Sequence, residues 1–269
     1  MTIETGHSPQ NFDVASRKGR GARRAPQPAG VGELRSSAVF AGVDDAALSW
    51  LSADACIESL ADGDTLFHQG AAVVEVAFVL SGYVKLLRIS SGRQTLISIC
   101  SGGEMIGELP IKGGEVHTFS AEAVGATRVI KLPAARLARL VKESPSLCAA
   151  VMQEYSKSIA RLIAEIETLK SHNADQRLAH FILALCPAGE DRCRFRLPYD
   201  KRLIAARLGV KQETLSRAFA KLRAHGVRTE TRNVHVESVS HLADQCDRLG
   251  RAPRLTFARR KVANGQDAA

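Results

Sequence analysis

The chain of 269 residues contains no long hydrophobic run. No apolar stretch approaches the roughly 18 residues that a membrane span requires. The N-terminus also lacks the apolar core of about 7–15 residues that marks a secretory signal. These two absences argue against contact with a membrane and predict a cytoplasmic protein.

Metal-binding and catalytic patterns are missing as well. The six cysteines include no C-x-x-C pair and have no histidine at ligand spacing, which argues against a metal or cluster site. Thiols of a cytoplasmic protein are reduced by default, so we expect free thiols, several of them in the core. Because no nucleophile, acid–base pair or metal-ligand set has coherent spacing, we predict that the protein is not an enzyme. The cysteines are Cys56, Cys100, Cys148, Cys186, Cys193 and Cys246.

Positive charge, by contrast, is concentrated in one segment. The net charge is +9, and residues 192–232 carry 12 basic and three acidic groups, whereas residues 31–191 carry 14 basic and 19 acidic groups. An acidic body with one basic segment is typical of a protein that neutralises the phosphates of double-stranded DNA. A basic segment that serves solubility or a membrane surface is the alternative interpretation.

The basic segment contains two short helical patterns that meet at Gly209, a residue able to adopt the positive φ needed at a helix C-terminus. The first pattern covers residues 201–208, and Asp200 is its predicted N-cap. Together the patterns predict a helix-turn-helix, and a short β-ribbon within residues 227–236 predicts a wing beside it. Three basic side chains of the first helix are predicted to contact phosphates: Lys201, Arg202 and Arg207.

The second helix has one polar and one apolar face. Gln212, Glu213, Ser216 and Arg217 share the polar face, and we predict them as the DNA-binding residues. Such an edge fits the major groove, where arginine bonds guanine O6 and N7 and a carboxylate accepts from cytosine N4. The alternative is an ordinary helical hairpin that docks on a protein partner.

Upstream, glycines recur every 7 to 12 residues between residues 63 and 113, separated by runs rich in β-forming residues at 76–80, 84–89 and 96–100. Turn residues at this spacing predict an all-β roll or barrel. A short helix that starts at an Asp44 cap precedes it.

From residue 144 onward, apolar residues recur at alternating intervals of four and three, the a/d pattern of a two-stranded coiled coil. Such a stripe is more often the core face of a globular helix. Here it joins two modules whose own cores look complete, so we predict a parallel homodimer. The predicted seam consists of Met152, Tyr155, Ile159, Leu162, Ile166 and Leu169.

These patterns predict an α+β protein with five segments. They are a disordered basic tail (1–32), a β-roll sensor domain (33–143), a dimerisation helix (144–172), a winged helix-turn-helix DNA-binding domain (173–245) and a basic C-terminal tail (246–269).

With its modules in this order, the chain resembles the Crp–Fnr superfamily of bacterial transcription regulators. The resemblance covers roughly residues 34–244 and is sharpest in LFHQG (66–70), VLSGYVKLL (79–87), IGEL (106–109), QRLAHFILAL (176–185) and the helix-turn-helix. It implies a roll of the cyclic-nucleotide-binding type, a homodimeric DNA-binding activator, and RNA polymerase as a further partner.

The stretch E-T-L-S-R at 213–217 is similar to the E-x-x-S-R of the Fnr, FixK and Dnr branches, which recognise TTGAT-like half-sites. The resemblance therefore implies a TTGAT-N4-ATCAA palindrome and a role in anaerobic or nitrogen-oxide (denitrification) control. It places Glu213 and Arg217 on the G·C pair, Ser216 on a neighbouring base and Gln212 as an adaptable fourth contact. Lys211 departs from the Ser or Thr cap of many relatives, which weakens the helix start.

The resemblance also implies an effector pocket in the roll. In the cyclic-AMP branch a Gly-Glu pair holds the ribose and an Arg-Ser pair holds the cyclic phosphate. Gly107 and Glu108 match the first pair, but His117 and Thr118 stand near the place of the second. Loss of the guanidinium removes about 1.5–3 kcal/mol of phosphate binding. We therefore expect weak or no cyclic-AMP binding and interpret Gly107 as a roll turn, with a cyclic-nucleotide-responsive regulator as the alternative.

The resemblance also suggests three other modes of sensing. The first cysteine is Cys56, so the N-terminal cysteine cluster of the Fnr iron–sulfur sensor is absent. A haem-linked nitric-oxide sensor of the Dnr kind and a FixK-like regulator controlled by its own level or by thiol oxidation both remain open. Haem needs an axial ligand, for which His68 and His117 are the candidates, although an isolated histidine is more often a surface or core residue. A ligand-binding module that acts on a protein partner rather than DNA is the competing class.

Overall fold

The structure, a computed structural model, describes residues 25–107, 115–187 and 189–248. These residues form two compact units. One runs through Lys170 and also includes Leu197–Leu215, and the other comprises Ser171–Arg196 and the chain from Ser216 onward. Residues 1–24 and 249–269, which hold most of the two predicted tails, lie outside the described residues.

Regular secondary structure begins within the segment that was predicted as a disordered tail. Strand β1 (Gln27–Pro28) pairs with a roll strand, helix α1 (Val31–Ser36) follows, and Ala29 is buried between them. The prediction of a disordered tail through residue 32 is therefore wrong for residues 25–32, because pairing with a distant strand orders a segment that lacks periodicity of its own. A 3-10 turn (Ala38–Phe40) and helix α2 (Asp45–Ser52) complete this region.

Helix α2 begins as the sequence predicted. The Asp44 carboxylate accepts a hydrogen bond from the Ala47 amide at 2.8 Å, which satisfies one of the free N–H groups of the first turn. Ser146 also donates to the same side chain. These hydrogen bonds lower the pKa of Asp44 below its usual range, with the bond from Ser146 as the largest cause.

The roll is built from antiparallel strands in the order β1-β2-β7-β4-β5, with β3 beside β7 and β6 beside β4. The roll strands are β2 (Cys56–Leu60), β3 (Thr65–Phe67), β4 (Glu75–Ser90), β5 (Arg93–Ser101), β6 (Met105–Ile106) and β7 (Ser120–Pro133). The predicted β-roll is thus confirmed.

Strand β4 joins two runs that the sequence separates at a glycine. Gly82 has φ +87°, and a Cβ at this position would lie 2.6 Å from the Ala126 carbonyl oxygen and 2.8 Å from Thr127 Cα on β7. Only glycine permits so close an approach of two backbones. The register shifts on both sides of Ser81, so Gly82 marks an irregularity within one long strand rather than a turn.

Alternate residues of strand β4 belong to two different apolar clusters. Val76 and Phe78 face the cluster that α1, α2 and the following helices cover, whereas Ala77 and Val79 face the interior of the roll. Because both faces of the central strands are buried, this part of the chain forms a complete core.

Helix α3 (Ala134–Glu143) leads into the long helix α4 (Pro145–Ser171), as the heptad pattern predicted. Leu147, Val151 and Glu154 of α4 are buried, and the first two belong to the apolar cluster that includes Val76 and Phe78. Farther along the same face, Arg161 pairs with Glu104 at 2.5 Å and donates to the Ile99 carbonyl oxygen at 3.3 Å. One face of α4 is therefore anchored on the roll.

Glu154 is an uncommon residue for such a face. Its Oε1 accepts from the Met105 amide at 3.4 Å, and burial raises the pKa of its carboxyl because the ionised form loses hydration. A raised pKa in the folded state favours folding below the ordinary pKa of glutamate, and this contribution is lost as pH rises through the folded value.

We therefore expect Glu154→Gln to stabilise the protein at pH 8 and to lose this advantage as pH falls below about 4.3, the ordinary pKa of glutamate. Urea unfolding at pH 8 and at acidic pH measures the difference. Glu167→Gln, which removes an exposed carboxylate from the same helix, is the control and should change stability little. A destabilising Glu154→Gln at pH 8 would contradict the account.

The remaining elements carry the features predicted for a DNA-binding domain. They are α5 (Ala174–Leu183), β8 (Cys193–Arg196), α6 (Lys201–Arg207), α7 (Gln212–Arg223), β9 (Val227–Glu230), β10 (Asn233–Val236) and α8 (Val239–Arg248). Asn173 caps α5, since its side chain accepts from the Asp175 and Gln176 amides at 3.0 Å each.

Helix α8 corrects the boundary at which the C-terminal tail was predicted to begin. The helix continues to Arg248, and Cys246 is buried against α5, where its carbonyl oxygen accepts from Gln176 Nε2 at 3.1 Å. Residues 246–248 are therefore helical and do not belong to the predicted tail, because α8 packs on α5 and continues past residue 245.

Candidate nucleic-acid interface

The two helices predicted around Gly209 are present with their predicted end residues. Asp200 Oδ1 accepts from the Leu203 amide at 2.7 Å and caps α6. Gly209 has φ +63°, and the next amide, that of Val210, donates to the Ala205 carbonyl oxygen at 2.9 Å, which closes the turn. Helix α7 then starts after Lys211, whose carbonyl oxygen accepts the Leu215 amide.

Helix α7 separates its polar and apolar residues cleanly. Leu215, Ala218, Phe219 and Leu222 are at most 5% exposed. The four side chains predicted to bind DNA are all exposed along the other face: Gln212, Glu213, Ser216 and Arg217. The structure thus brings these four residues together on one solvent-facing edge within the first turn and a half of the helix.

The basic residues of α6 do not all face solvent as expected. Lys201 and Arg202 are exposed, but Arg207 is partly buried. Its Nη1 donates to the Tyr199 hydroxyl at 2.6 Å, and its Nη2 lies 3.7 Å from Glu165. The prediction that Arg207 contacts phosphates is therefore wrong for this structure, because a buried tyrosine and a carboxylate already engage its guanidinium.

The wing contains a third strand that the sequence patterns did not predict. β8 pairs with β10, and β10 pairs with β9, so the order is β8-β10-β9. The register sets Arg194, His235 and Arg228 side by side, and Arg194 and Arg228 are both exposed. The alternation in C-R-F-R was the available sequence signal for β8, since arginine at every second position predicts a strand with one solvent face.

The predicted seam lies on the exposed side of α4. Tyr155 is partly buried and packs against the roll cluster, so it differs from the other five. Ile163, which was not predicted, is also exposed and adjoins the stripe. The other five seam residues are 39–57% exposed: Met152, Ile159, Leu162, Ile166 and Leu169. An apolar stripe of this length on the surface of a helix is typical of a surface that meets a partner.

Two of the predicted effector residues, Gly107 and His117, lie next to each other. His117 is 2% exposed and stacks on Phe67 with ring centroids 3.7 Å apart. Gly107 lies against this pair and has φ +105°. This backbone conformation explains why a glycine stands there, and no ligand role is needed. His68 and Thr118 are exposed. Glu108 lies outside the described residues.

The surroundings of His117 do not fit an axially bound haem. The His117 ring is packed between Phe67 and Gly107, with a distance of 3.6 Å from its Cε1 to the place of a Gly107 Cβ. An axial ligand needs a nitrogen that opens onto the macrocycle. His68 is at the surface rather than in the roll interior.

Known proteins share both modules. The family model described as "Cyclic nucleotide-binding domain" matches residues 57–144, and the model described as "Crp-like helix-turn-helix domain" matches residues 176–245. The transcriptional activator protein Anr of Pseudomonas protegens is 30% identical over 183 residues, which are 66% of this chain and 75% of Anr. The chain belongs to the Crp–Fnr family of transcription regulators.

Two further comparisons agree with this membership. The nitrogen fixation regulation protein FixK of Bradyrhizobium diazoefficiens is 28% identical over 201 residues, 72% of this chain and 82% of FixK. A crystal structure of a protein from Ruegeria pomeroyi, assigned there to cyclic-nucleotide binding, superposes with a TM-score of 0.58 at 32% identity and covers 81% of this chain and 96% of that one. This Crp–Fnr protein is thus a DNA-binding transcription regulator and not an enzyme, as the sequence predicted.

The cysteines of this Crp–Fnr protein depart from expectation at one place. Cys186 and Cys193 form a disulfide with Cα atoms 5.8 Å apart, a usual separation for such a bond. The prediction of reduced thiols is wrong for these two residues, because the turn after α5 brings Cys186 next to β8. Cys56, Cys100, Cys148 and Cys246 take part in no disulfide, and burial raises the pKa of Cys100 to about 11.

Within the described part of the chain, no group of three or more His, Cys, Asp or Glu side chains is arranged to hold a metal ion. Nor does any helix in those residues have the length and hydropathy to span a membrane.

Proposed function

We propose that this Crp–Fnr regulator binds a TTGAT-N4-ATCAA-like palindrome as a homodimer, with one α7 helix in the major groove of each half-site. The observation that carries the proposal is the exposed edge of α7. Arg217 and Glu213 lie one turn apart on it, while the opposite face is buried. A guanidinium and a carboxylate at this spacing match the acceptors of guanine and the donor of the paired cytosine.

The remaining contacts follow from position along the same edge. Ser216 lies beside Arg217 and is assigned to a neighbouring base, and Gln212 at the start of the helix is an adaptable fourth contact. Lys201 and Arg202 are exposed on α6 and are assigned to phosphates, which fix the register of the protein on the duplex.

The open stripe of α4 supplies the dimer in this proposal. Burying an exposed isoleucine, leucine or methionine side chain contributes about 1.5–3 kcal/mol, so burial of the five exposed seam residues of each protomer stabilises a coiled coil. A two-fold axis along α4 then relates two α7 helices to two half-sites about one helical turn apart. The working domain division is a roll before residue 144, a dimerisation helix to residue 172 and a DNA-binding domain beyond it.

The biological role is inferred from the relatives. FixK is named for the regulation of nitrogen fixation and Anr is named a transcriptional activator. We therefore assign this protein to activation in anaerobic or nitrogen-oxide control, acting in the cytoplasm with RNA polymerase as the partner of the bound dimer.

The roll is assigned a small-molecule effector other than cyclic AMP. The position at which a guanidinium would hold a cyclic phosphate is occupied by His117, whose ring is packed on Phe67. We expect saturating cyclic AMP to change operator affinity by less than about twofold, because the phosphate lacks its bidentate partner. Fluorescence anisotropy with and without the nucleotide measures this, and a tenfold tightening would restore the cyclic-nucleotide-responsive alternative.

Binding to the palindrome itself tests the function. Anisotropy titrations compare the operator duplex with a scrambled duplex of equal length and composition at two salt concentrations. We expect operator binding tighter by at least about 10³-fold and a salt dependence on both duplexes from phosphate contacts. Equal affinity for the two duplexes would contradict base reading. No salt-dependent binding to either would favour a protein partner for the helical hairpin.

A further inference from the structure

We propose that Cys186 and Cys193 are a reversible thiol–disulfide centre that exchanges with anionic small thiols of the glutathione class. The bond joins the turn after α5 to the first residue of β8 and closes a loop with a sequence separation of seven residues. Regulators that bind DNA work where glutathione and thioredoxin keep thiols reduced, and a disulfide in that setting is usually transient and redox-sensing.

A charged cavity lies beside the pair. It has a volume of about 510 Å³ and is lined by Cys193, Arg192, Arg194, His235 and Glu237. Cys193 itself is only 3% exposed, whereas Cys186 is partly exposed, so a small thiol reaches the bond at Cys186. The charges of the cavity therefore act on the thiols that approach the bond.

The wall is positively charged. Arg192 and Arg194 flank Cys193 in sequence, and His235 stands opposite Arg194 in the β8–β10 register. The single carboxylate of the lining, Glu237, is paired with Arg228 at 2.8 Å. The field of this cavity concentrates anions, so a thiol that carries carboxylates is favoured over a neutral or cationic one.

The exchange proceeds in two balanced steps. The thiolate of the small molecule attacks Cys186 Sγ, a new S–S bond forms, and the Cys186–Cys193 bond breaks with its electron pair on Cys193, which then takes a proton from water. A second small thiolate attacks the small-molecule sulfur of the mixed disulfide and releases the Cys186 thiolate together with the oxidised dimer of the small molecule. Two electrons pass from two small thiols to the protein, and the reverse sequence re-forms the bond.

Reduction of the disulfide affects the rest of the DNA-binding domain through Asp191. The loop closed by the disulfide contains Asp191, whose carboxylate accepts from the Ser240 amide at 2.9 Å and whose carbonyl oxygen accepts from the Val239 amide at 2.7 Å. These bonds hold the start of α8, and the amide of Ser240 is the main cause that lowers the pKa of Asp191. Reduction frees this loop and loosens the start of α8.

The inference rests on the DNA-binding function for its effect and on thiol chemistry for its test. We expect the oxidised protein to bind the operator about three- to tenfold more tightly than the reduced protein, because the closed loop pre-organises the domain. The Cys186→Ser variant should bind the operator with the affinity of the reduced wild-type protein at every redox potential. Cys148→Ser, which removes a half-buried thiol elsewhere, is the matched control and should still respond.

The exchange is measured without DNA. Full-length oxidised protein is treated with glutathione, 2-mercaptoethanol or cysteamine, and alkylation followed by mass spectrometry gives the rate of opening per thiolate. We expect glutathione to exceed cysteamine by at least about tenfold at low salt, with the preference lost in the Arg192→Ser/Arg194→Ser variant and at high salt.

Two results would overturn the proposal. The first is complete alkylation of Cys186 and Cys193 after oxidation but before any reductant, and the second is an exchange rate independent of thiol charge. Cys193→Ala provides a second disruption if Cys186→Ser fails to fold, as judged by circular dichroism. A protein that shows charge-selective exchange but no operator selectivity would keep the thiol centre and remove the proposed operator, so the two failures are distinguishable.

Discussion

Replacing Arg217 by alanine is expected to cost about 1–3 kcal/mol of operator binding, between roughly fivefold and 150-fold in affinity, and to relax selectivity at the G·C position. Arg217 is exposed on the edge of α7 while Ala218, the next residue, is buried. Loss of its two hydrogen bonds to guanine leaves the base edge without a partner, and the wild-type preference for guanine over the other bases disappears.

A matched variant distinguishes the loss of a base contact from the loss of a positive charge. Lys211→Ala removes an equal charge immediately before α7, and we expect it to weaken binding to operator and scrambled duplexes by the same factor and to reduce the salt slope by about one unit. Anisotropy on the operator, on a duplex with the G·C pair inverted and on the scrambled duplex reports both effects. A uniform loss for Arg217→Ala on all three duplexes would assign Arg217 to the phosphates instead.

Charged substitution on the seam is expected to convert the dimer to monomers and to abolish most operator binding. Ile159 and Ile166 are 57% and 51% exposed on α4 and share the a position of the heptad. Glutamate at both sites brings like charges of two protomers together in a desolvated seam, which costs several kcal/mol. The folded monomer should survive, because the roll is anchored by Leu147 and Val151 on another face.

The control for the seam variant lies on the same helix. Ala164→Glu places a charge at an exposed position opposite the a/d stripe, and it should leave the dimer and its operator affinity intact. Analytical ultracentrifugation of the two variants at equal concentration, followed by operator titration, measures both consequences. An unchanged sedimentation coefficient for Ile159→Glu/Ile166→Glu would show that the stripe is not the dimer contact.

Elements that depend on neighbouring residues were predictable from the sequence. Asp44, Asn173 and Asp200 cap their helices because a short acceptor side chain reaches amides two or three residues ahead, which is a local event. The positive φ of Gly209 and the two-faced pattern of α7 are equally local. Periodicity and turn chemistry were therefore sufficient for the helix-turn-helix and for the exposed edge that carries the candidate site.

Features that depend on distant partners were not predictable in this way. β1 is a strand because it meets β2, and β8 is a strand because β10 pairs with it. Cys186 and Cys193 lack a recognisable motif, and only the turn after α5 brings them to bonding distance. The charge of Arg207 suggested a phosphate contact, but the neighbouring Tyr199 hydroxyl engages it in the folded chain.

Helix α4 has two faces with different roles, an exposed a/d stripe and a face that packs on the roll. The a/d stripe drew attention to Met152, Ile159 and Ile166, which are exposed. The residues that hold the helix on the roll, Leu147 and Val151, occupy a different face and would read as ordinary helical residues. Since both faces carry apolar residues, periodicity alone does not show which one meets the same chain and which one meets a partner.

The central claim is that a two-fold dimer sets two α7 helices on two half-sites at one fixed separation. Its most direct test is the affinity for palindromes in which the N4 spacer is lengthened by about five and by about ten base pairs, half a turn and one full turn of B-DNA. The account predicts tight, salt-dependent binding of two chains to the N4 operator and a loss of at least about 100-fold when half a turn is inserted, because the second helix then faces away from its groove. Equal affinity for all spacers would show that each chain reads a half-site on its own and would contradict the dimer account.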